Sequence, residues 1–91
     1  VLPDPWSFDQ PPNAAAITLR RIIKPSIIPP SDVLFVSHDE DDHGWQFLDG
    51  GPVTPEDGAI VGMGTMLMHD ASLVEIADLP PGWIATRAKI G

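Results

Sequence analysis

The chain has 91 residues, with five Lys or Arg against thirteen Asp or Glu, eleven prolines and no cysteine, for a formal net charge of -8 at pH 7. That length supports one domain, and the missing cysteines exclude disulfides and thiolate metal sites. The acidity argues against nucleic acid as a partner, because phosphate binding relies on Lys and Arg displacing counterions. No apolar run approaches the roughly 20 residues of a membrane helix, so no membrane partner is expected. No basic segment leads into an apolar one at the start, and a cysteine-free chain suits a reducing compartment, so the expected location is cytoplasmic.

Residues 1–13 hold four prolines around Trp6 and Phe8 and read as a proline-rich arm whose aromatics lie on the body of a domain spanning residues 14–91. Ala15 to Leu19 alternates in the manner of a strand, although Asn13 and the alanines would also suit a capped helix. Arg20 to Ile23 fits one short helical turn, and the proline-rich stretch from Lys24 to Asp32 is a connection. Strands are then expected at Val33 to His38 and Gly44 to Leu48. Asp49-Gly50-Gly51-Pro52 ends the second of them. Thr54 precedes Pro55, Glu56 and Asp57 as an N-cap for a short turn, before a brief strand near Ala59 to Val61. Gly64 to His69 reads as coil, with Met63, Met66, Leu67 and Met68 as core filler. Asp70 or Ser72 caps a short helix running to about Ala77, and Trp83 to Arg87 forms a last strand. The fold class this implies is α+β: a mostly antiparallel sheet with a central β-hairpin and short helices.

The hairpin carries the most unusual chemistry. Asp39, Glu40, Asp41 and Asp42 are consecutive carboxylates flanked by His38 and His43. With a four-residue loop, His38 would face His43, Val36 would face Trp45 and Leu34 would face Phe47, all on one side of the sheet. The five cations, Arg20, Arg21, Lys24, Arg87 and Lys89, all lie outside the interval from Asp32 to Asp78, so the tip has no cation near it in sequence. Such a field suits a basic protein. Asp39, Glu40, Asp41, Asp42 and Trp45 are therefore the candidate binding residues, and assembly with a second copy of the chain is a further expectation.

Two imidazoles beside carboxylates also offer a nitrogen and oxygen set for zinc, nickel or copper, which makes His38 and His43 candidate metal ligands in the alternative reading of a divalent metal-binding domain. A calcium loop of the EF-hand type is not supported. Asp39, Asp41 and Gly44 match its first, third and sixth positions, but His43 and Gly50 stand where oxygen ligands are required, and the flanks are strands. Catalysis lacks its usual parts: there is no cysteine, no Gly-x-Ser-x-Gly, no His-Glu-x-x-His and no phosphate loop. Gly62-Met63-Gly64 lacks the third glycine of a dinucleotide fingerprint. The reading leans away from an enzyme and expects no cofactor.

His38-Asp39-Glu40-Asp41-Asp42, Gly44-Trp45 followed by Phe47, and Asp78-Leu79-Pro80-Pro81-Gly82-Trp83 together resemble a group of small uncharacterised bacterial proteins. Their glycine, tryptophan, any residue, phenylalanine core is similar to that of a domain-of-unknown-function family that includes some immunity proteins of polymorphic toxin systems. The resemblance extends from about Phe8 to Arg87 and is most specific from His38 to Gly50. It implies an immunity-like interaction module and places no residue in a known role.

Overall fold

A computed structural model describes residues 5–24, 26–27 and 31–88. The start of the arm and the prolines of the 24–32 connection lie outside the described residues. Five strands, β1 (Ala15–Leu19), β2 (Phe35–His38), β3 (Trp45–Leu48), β4 (Gly58–Gly62) and β5 (Ile84–Thr86), form one sheet in the order β4-β1-β3-β2-β5. Helices α1 (Arg20–Ile23) and α2 (Met63–His69) and 3₁₀ turns at Pro55–Asp57 and Ala71–Ile76 complete the fold.

The sheet is mixed, which corrects the expectation of a mostly antiparallel one. β1 pairs antiparallel with β4 but parallel with β3, where Ile17 faces Gln46 and Thr18 faces Phe47. The reason is a crossover. The chain leaves β1 through α1 and returns as β2 one place further along, so the hairpin folds β3 back into the gap beside β1. Side-chain alternation records which face a strand buries, not the direction of its neighbour.

One face of the sheet is covered. Ala16 and Thr18 of β1, Val36 and His38 of β2, and Trp45 and Phe47 of β3 are buried against Met63, Met66, Leu67 and Leu73. Thr18 is tolerated there because its hydroxyl donates to the Phe47 carbonyl at 2.8 Å. The other face is open, and a cross-strand row of Ile60, Ile17, Gln46, Ser37 and Ile84 runs over it from edge to edge.

Residues expected to coil form α2. Met63, Met66 and Leu67 stand at helical spacing and are all buried, so their burial against the sheet outweighs the cost of Gly64 in the helix. The first two helical amides, of Met63 and Gly64, donate to the carbonyls of Ala14 and Pro12 at 2.8 Å, so the end of the arm serves as the cap. Met68, expected in the core, is instead exposed. Asp70 caps the following turn by accepting the Ser72 amide, as expected.

Hairpin register differs from expectation by two residues. His38 faces Trp45, Val36 faces Phe47 and Phe35 faces Leu48, so the loop comprises six residues rather than four. Asp39 Oδ2 accepts the amides of Asp41 and Asp42 at 2.9 and 3.0 Å, and Asp42 Oδ1 accepts that of Gly44 at 2.7 Å. His43 enters the left-handed region at φ 59°, and a Cβ on Gly44 would meet Asp42 Oδ1 at 2.9 Å. The loop thus consumes His43 and Gly44 in its own turn. A slip of two preserves the face, so Val36, Trp45 and Phe47 are buried as the alternation requires.

Arg21 ties α1 to the end of the hairpin. Its guanidinium donates to both oxygens of Asp49, at 2.5 and 2.8 Å, and to the Pro52 carbonyl at 2.9 Å. The paired guanidinium, helped by the Gly51 amide, holds the Asp49 carboxyl at about 2. Because the value is depressed, the stability it supplies is complete above the unfolded carboxyl value near 4 and is lost as pH falls through the folded value. Wild type is expected to lose about 2 kcal/mol through this group over that acid range. Urea unfolding of Asp49→Asn across the same range checks this, because the variant should lack that component of the decline. Trp45 and Phe47 are 1% and 0% exposed. Truncation of either to alanine is expected to cost about 3–5 kcal/mol, a large share of the stability of a small domain, measurable as a shift of the urea midpoint.

Candidate functional site

Two features converge on the hairpin, one on each side of the sheet. On the covered side, β2 ends at His38 and β3 begins at Trp45, and their cross-strand pairing stacks the two rings with centroids 4.0 Å apart at 17°. Phe8 packs edge-on against Trp45 at 5.0 Å, and Trp6 lies on Phe8 at 5.4 Å. The arm is therefore laid on the body by its aromatics, as their cost in water demands.

That packing delivers Asp9. Its Oδ1 accepts the Trp45 indole N–H at 2.9 Å, and its Oδ2 lies 2.9 Å from His38 Nε2 and 3.3 Å from His43 Nδ1. Gln10 secures the far side by donating to the His43 carbonyl at 3.3 Å, while the Trp6 indole N–H donates to the Gln10 carbonyl at 2.6 Å. Burial pushes the Asp9 carboxyl up, but the indole hydrogen bond and the two imidazoles outweigh it and hold the carboxyl below its ordinary value. His38 is 3% exposed and His43 half exposed. His38 Nδ1 lies 2.6 Å from the Leu79 carbonyl, an acceptor only, so this nitrogen carries hydrogen.

His38 and His43 were expected to meet as cross-strand partners. They do meet, with ring centroids 5.7 Å apart, but through the turn geometry at His43 rather than through strand pairing. The carboxylate that approaches them is not from the tip. It is Asp9, an acid of the arm with no spacing relation to the hairpin. The aromatic pair around it was the signal that this segment returns to the body, without indicating where.

On the open side, a groove of about 300 Å³ is lined by Ala15, Ile17, Ile60, Gln46, Asp39 and Asp42, among others. Its floor is apolar, since Ile17 and Ile60 are 45% and 77% exposed, and its rim is anionic. The hydrogen bonds from the Asp42 and Asp41 amides hold the Asp39 carboxyl below its ordinary value. Asp39 and Asp42 are therefore both turn-formers and charges, whereas Glu40 and Asp41 are exposed without such a role. Trp45, a candidate binding residue, is a core residue at 1% exposure that also contributes to the lining of this groove.

Tertiary structure also redistributes the cations. Arg21 bridges Asp49 and Asp57, and Arg87 binds Asp70 at 2.7 Å, so carboxylates remote in sequence from any base are paired. Among the described residues no Lys or Arg pairs with Asp39, Glu40, Asp41 or Asp42. No helix among the described residues is long and apolar enough to cross a membrane. Comparison with family models, curated proteins and solved structures found no match.

If Asp39 organises the loop as an acceptor, Asp39→Ala is expected to lower the urea midpoint, whereas Asp39→Asn, which retains an acceptor oxygen, should retain most of it. Asp41→Ala should leave the midpoint unchanged. Equal effects of the two Asp39 replacements would assign its role to charge instead of hydrogen bonding.

Proposed function

We propose that this protein is a non-catalytic interaction module that docks a basic protein partner on the open face of its sheet. The observation that carries the reading is the juxtaposition of Ile17 and Ile60 with Asp39 and Asp42 in one groove. Apolar floor and anionic rim together match a long basic side chain, which lays its methylene stem on hydrocarbon and places its cationic head among carboxylates. Arginine suits the rim best, because two carboxylates can each accept from its fork of donors. The tip charges, without a Lys or Arg partner among the described residues, extend the field beyond the groove and favour encounter with a cationic surface. An immunity-like role, with a toxin as the basic partner, is the narrower form of this reading.

The test is an NMR titration of the labelled chain with a peptide that alternates arginine and leucine. Amide shifts are expected to concentrate at Ile17, Gly44, Gln46 and Ile60, and to weaken as salt rises. Asp39→Asn combined with Asp42→Asn should reduce the affinity and flatten its salt dependence while leaving the loop acceptors in place. Ile60→Glu should reduce it without loss of stability, since that side chain is largely exposed. Shifts spread evenly over every acidic surface, or unchanged affinity in both variants, would remove the groove as the site. A dimer formed through this face, detected by sedimentation, would assign it to a second copy of the chain.

A further inference from the structure

We infer that Asp9, His38 and His43 form a binding site for one divalent transition-metal ion, zinc being the reference case, with Asp9 Oδ2, His38 Nε2 and His43 Nδ1 as ligand atoms. The site lies on the arm side of the hairpin and none of its three ligand residues lines the groove, so either reading can fail without the other.

Ligand spacing is the first support. The three atoms all lie within 4.8 Å of one another, and Asp9 Oδ2 stands 2.9 and 3.3 Å from the two nitrogens. A tetrahedral ion with bonds of about 2.0–2.1 Å holds its ligand atoms about 3.3 Å apart, so the two distances from Asp9 already approach that spacing, and the two nitrogens, within 4.8 Å of each other, would draw together around an ion. Three protein ligands leave a fourth position for water or a partner's ligand.

The donor inventory points the same way. Neutral His38 has a single N–H, and the Leu79 carbonyl engages it at Nδ1. The lone pair on Nε2 then points at a carboxylate oxygen 2.9 Å away. Two electron pairs at that distance, beside a ring that is 3% exposed, require a cation between them. A proton or a metal ion would serve, and the convergence of His43 Nδ1 on the same oxygen adds the third ligand that a metal uses and a proton on His38 does not need.

Outer contacts already orient the ligands. The Leu79 carbonyl fixes the His38 tautomer that leaves Nε2 available, and the Trp45 indole holds the second oxygen of Asp9. Such outer hydrogen bonds accompany metal-binding histidines and carboxylates and sharpen their geometry. Two imidazole nitrogens with one oxygen favour zinc, nickel or copper over calcium or magnesium, which take oxygen sets. A bound ion would fasten the arm to the hairpin through Asp9.

Calorimetric titration of the full chain with zinc chloride, alongside calcium chloride, tests the inference. One equivalent of zinc is expected to bind at micromolar concentration or tighter, with no comparable calcium binding. Asp9→Asn and His43→Ala should each weaken zinc by about tenfold or more, while Asp41→Asn leaves it unchanged. Both replaced side chains are substantially exposed, and asparagine keeps an acceptor for the Trp45 indole. Imidazole ¹⁵N spectra of the wild-type chain supply a readout that needs no variant: zinc should move His38 Nε2 and His43 Nδ1 and leave His69 in place. Absence of heat and of imidazole shifts at millimolar zinc would assign the bridging cation to a proton. Affinity that survives Asp9→Asn and His43→Ala, or that is lost in Asp41→Asn, would place the ion on the acidic tip. Either result would overturn the site.

Discussion

Asp9 holds the hairpin and the arm together with a single carboxylate. One oxygen takes the indole N–H of Trp45 and the other faces His38 and His43, so the arm satisfies polar groups that the hairpin buries but cannot pair internally. A buried indole N–H or imidazole without a partner costs about 1–3 kcal/mol, which makes this contact a condition for placing Trp45 and His38 on the covered face at all. Other features follow from that placement. The two rings stack, Phe8 closes over Trp45, and Gln10 secures the backbone of the loop at His43. The same arm continues to Pro12 and Ala14, whose carbonyls receive the first amides of α2. An apolar packing interaction and a polar one thus act through the same few residues, and neither would position the arm alone.

Charge is organised by a complementary division. Arg21 and Arg87 are engaged in structural pairs with Asp49, Asp57 and Asp70, while Arg87 also donates to the Val33 carbonyl and the Ser72 hydroxyl. These pairs stitch connections to the sheet. With those cations engaged, the four tip carboxylates lack a Lys or Arg partner among the described residues. Repulsion within the tip is partly offset because Asp39 and Asp42 direct oxygens at backbone amides, which stabilise negative charge. The loop can therefore stay ordered while presenting a strong anionic field next to exposed isoleucines. A sheet covered on one side only leaves that combination accessible, since a second layer would have buried Ile17 and Ile60.

Much of the local structure was legible in the residues themselves. Alternation over Ala15 to Leu19, the turn at Arg20 to Ile23, the N-cap at Thr54 and the buried face of Val36, Trp45 and Phe47 follow from side-chain periodicity and turn chemistry. Each depends on neighbours within a few positions. The acidic loop was likewise evident as a concentration of charge, although its length was not. Two of its carboxylates act as acceptors for their own backbone, and that use of Asp39 and Asp42 draws His43 and Gly44 into the turn.

What only the tertiary structure decided concerns partners far apart in sequence. The direction of β3 beside β1 depends on where the crossover returns, which no alternation encodes. Helix α2 forms because the sheet supplies an apolar surface for Met63, Met66 and Leu67 and the arm supplies its cap. Read locally, Gly62 and Gly64 favour coil. The meeting of Asp9 with His38 and His43 spans 29 and 34 residues and is created by aromatic packing, not by any motif spacing. Periodicity specifies which face a residue shows, because it arises from the geometry of one segment. Convergence of a carboxylate and two imidazoles is a property of how segments are stacked, and it becomes definite only when the core that stacks them has formed.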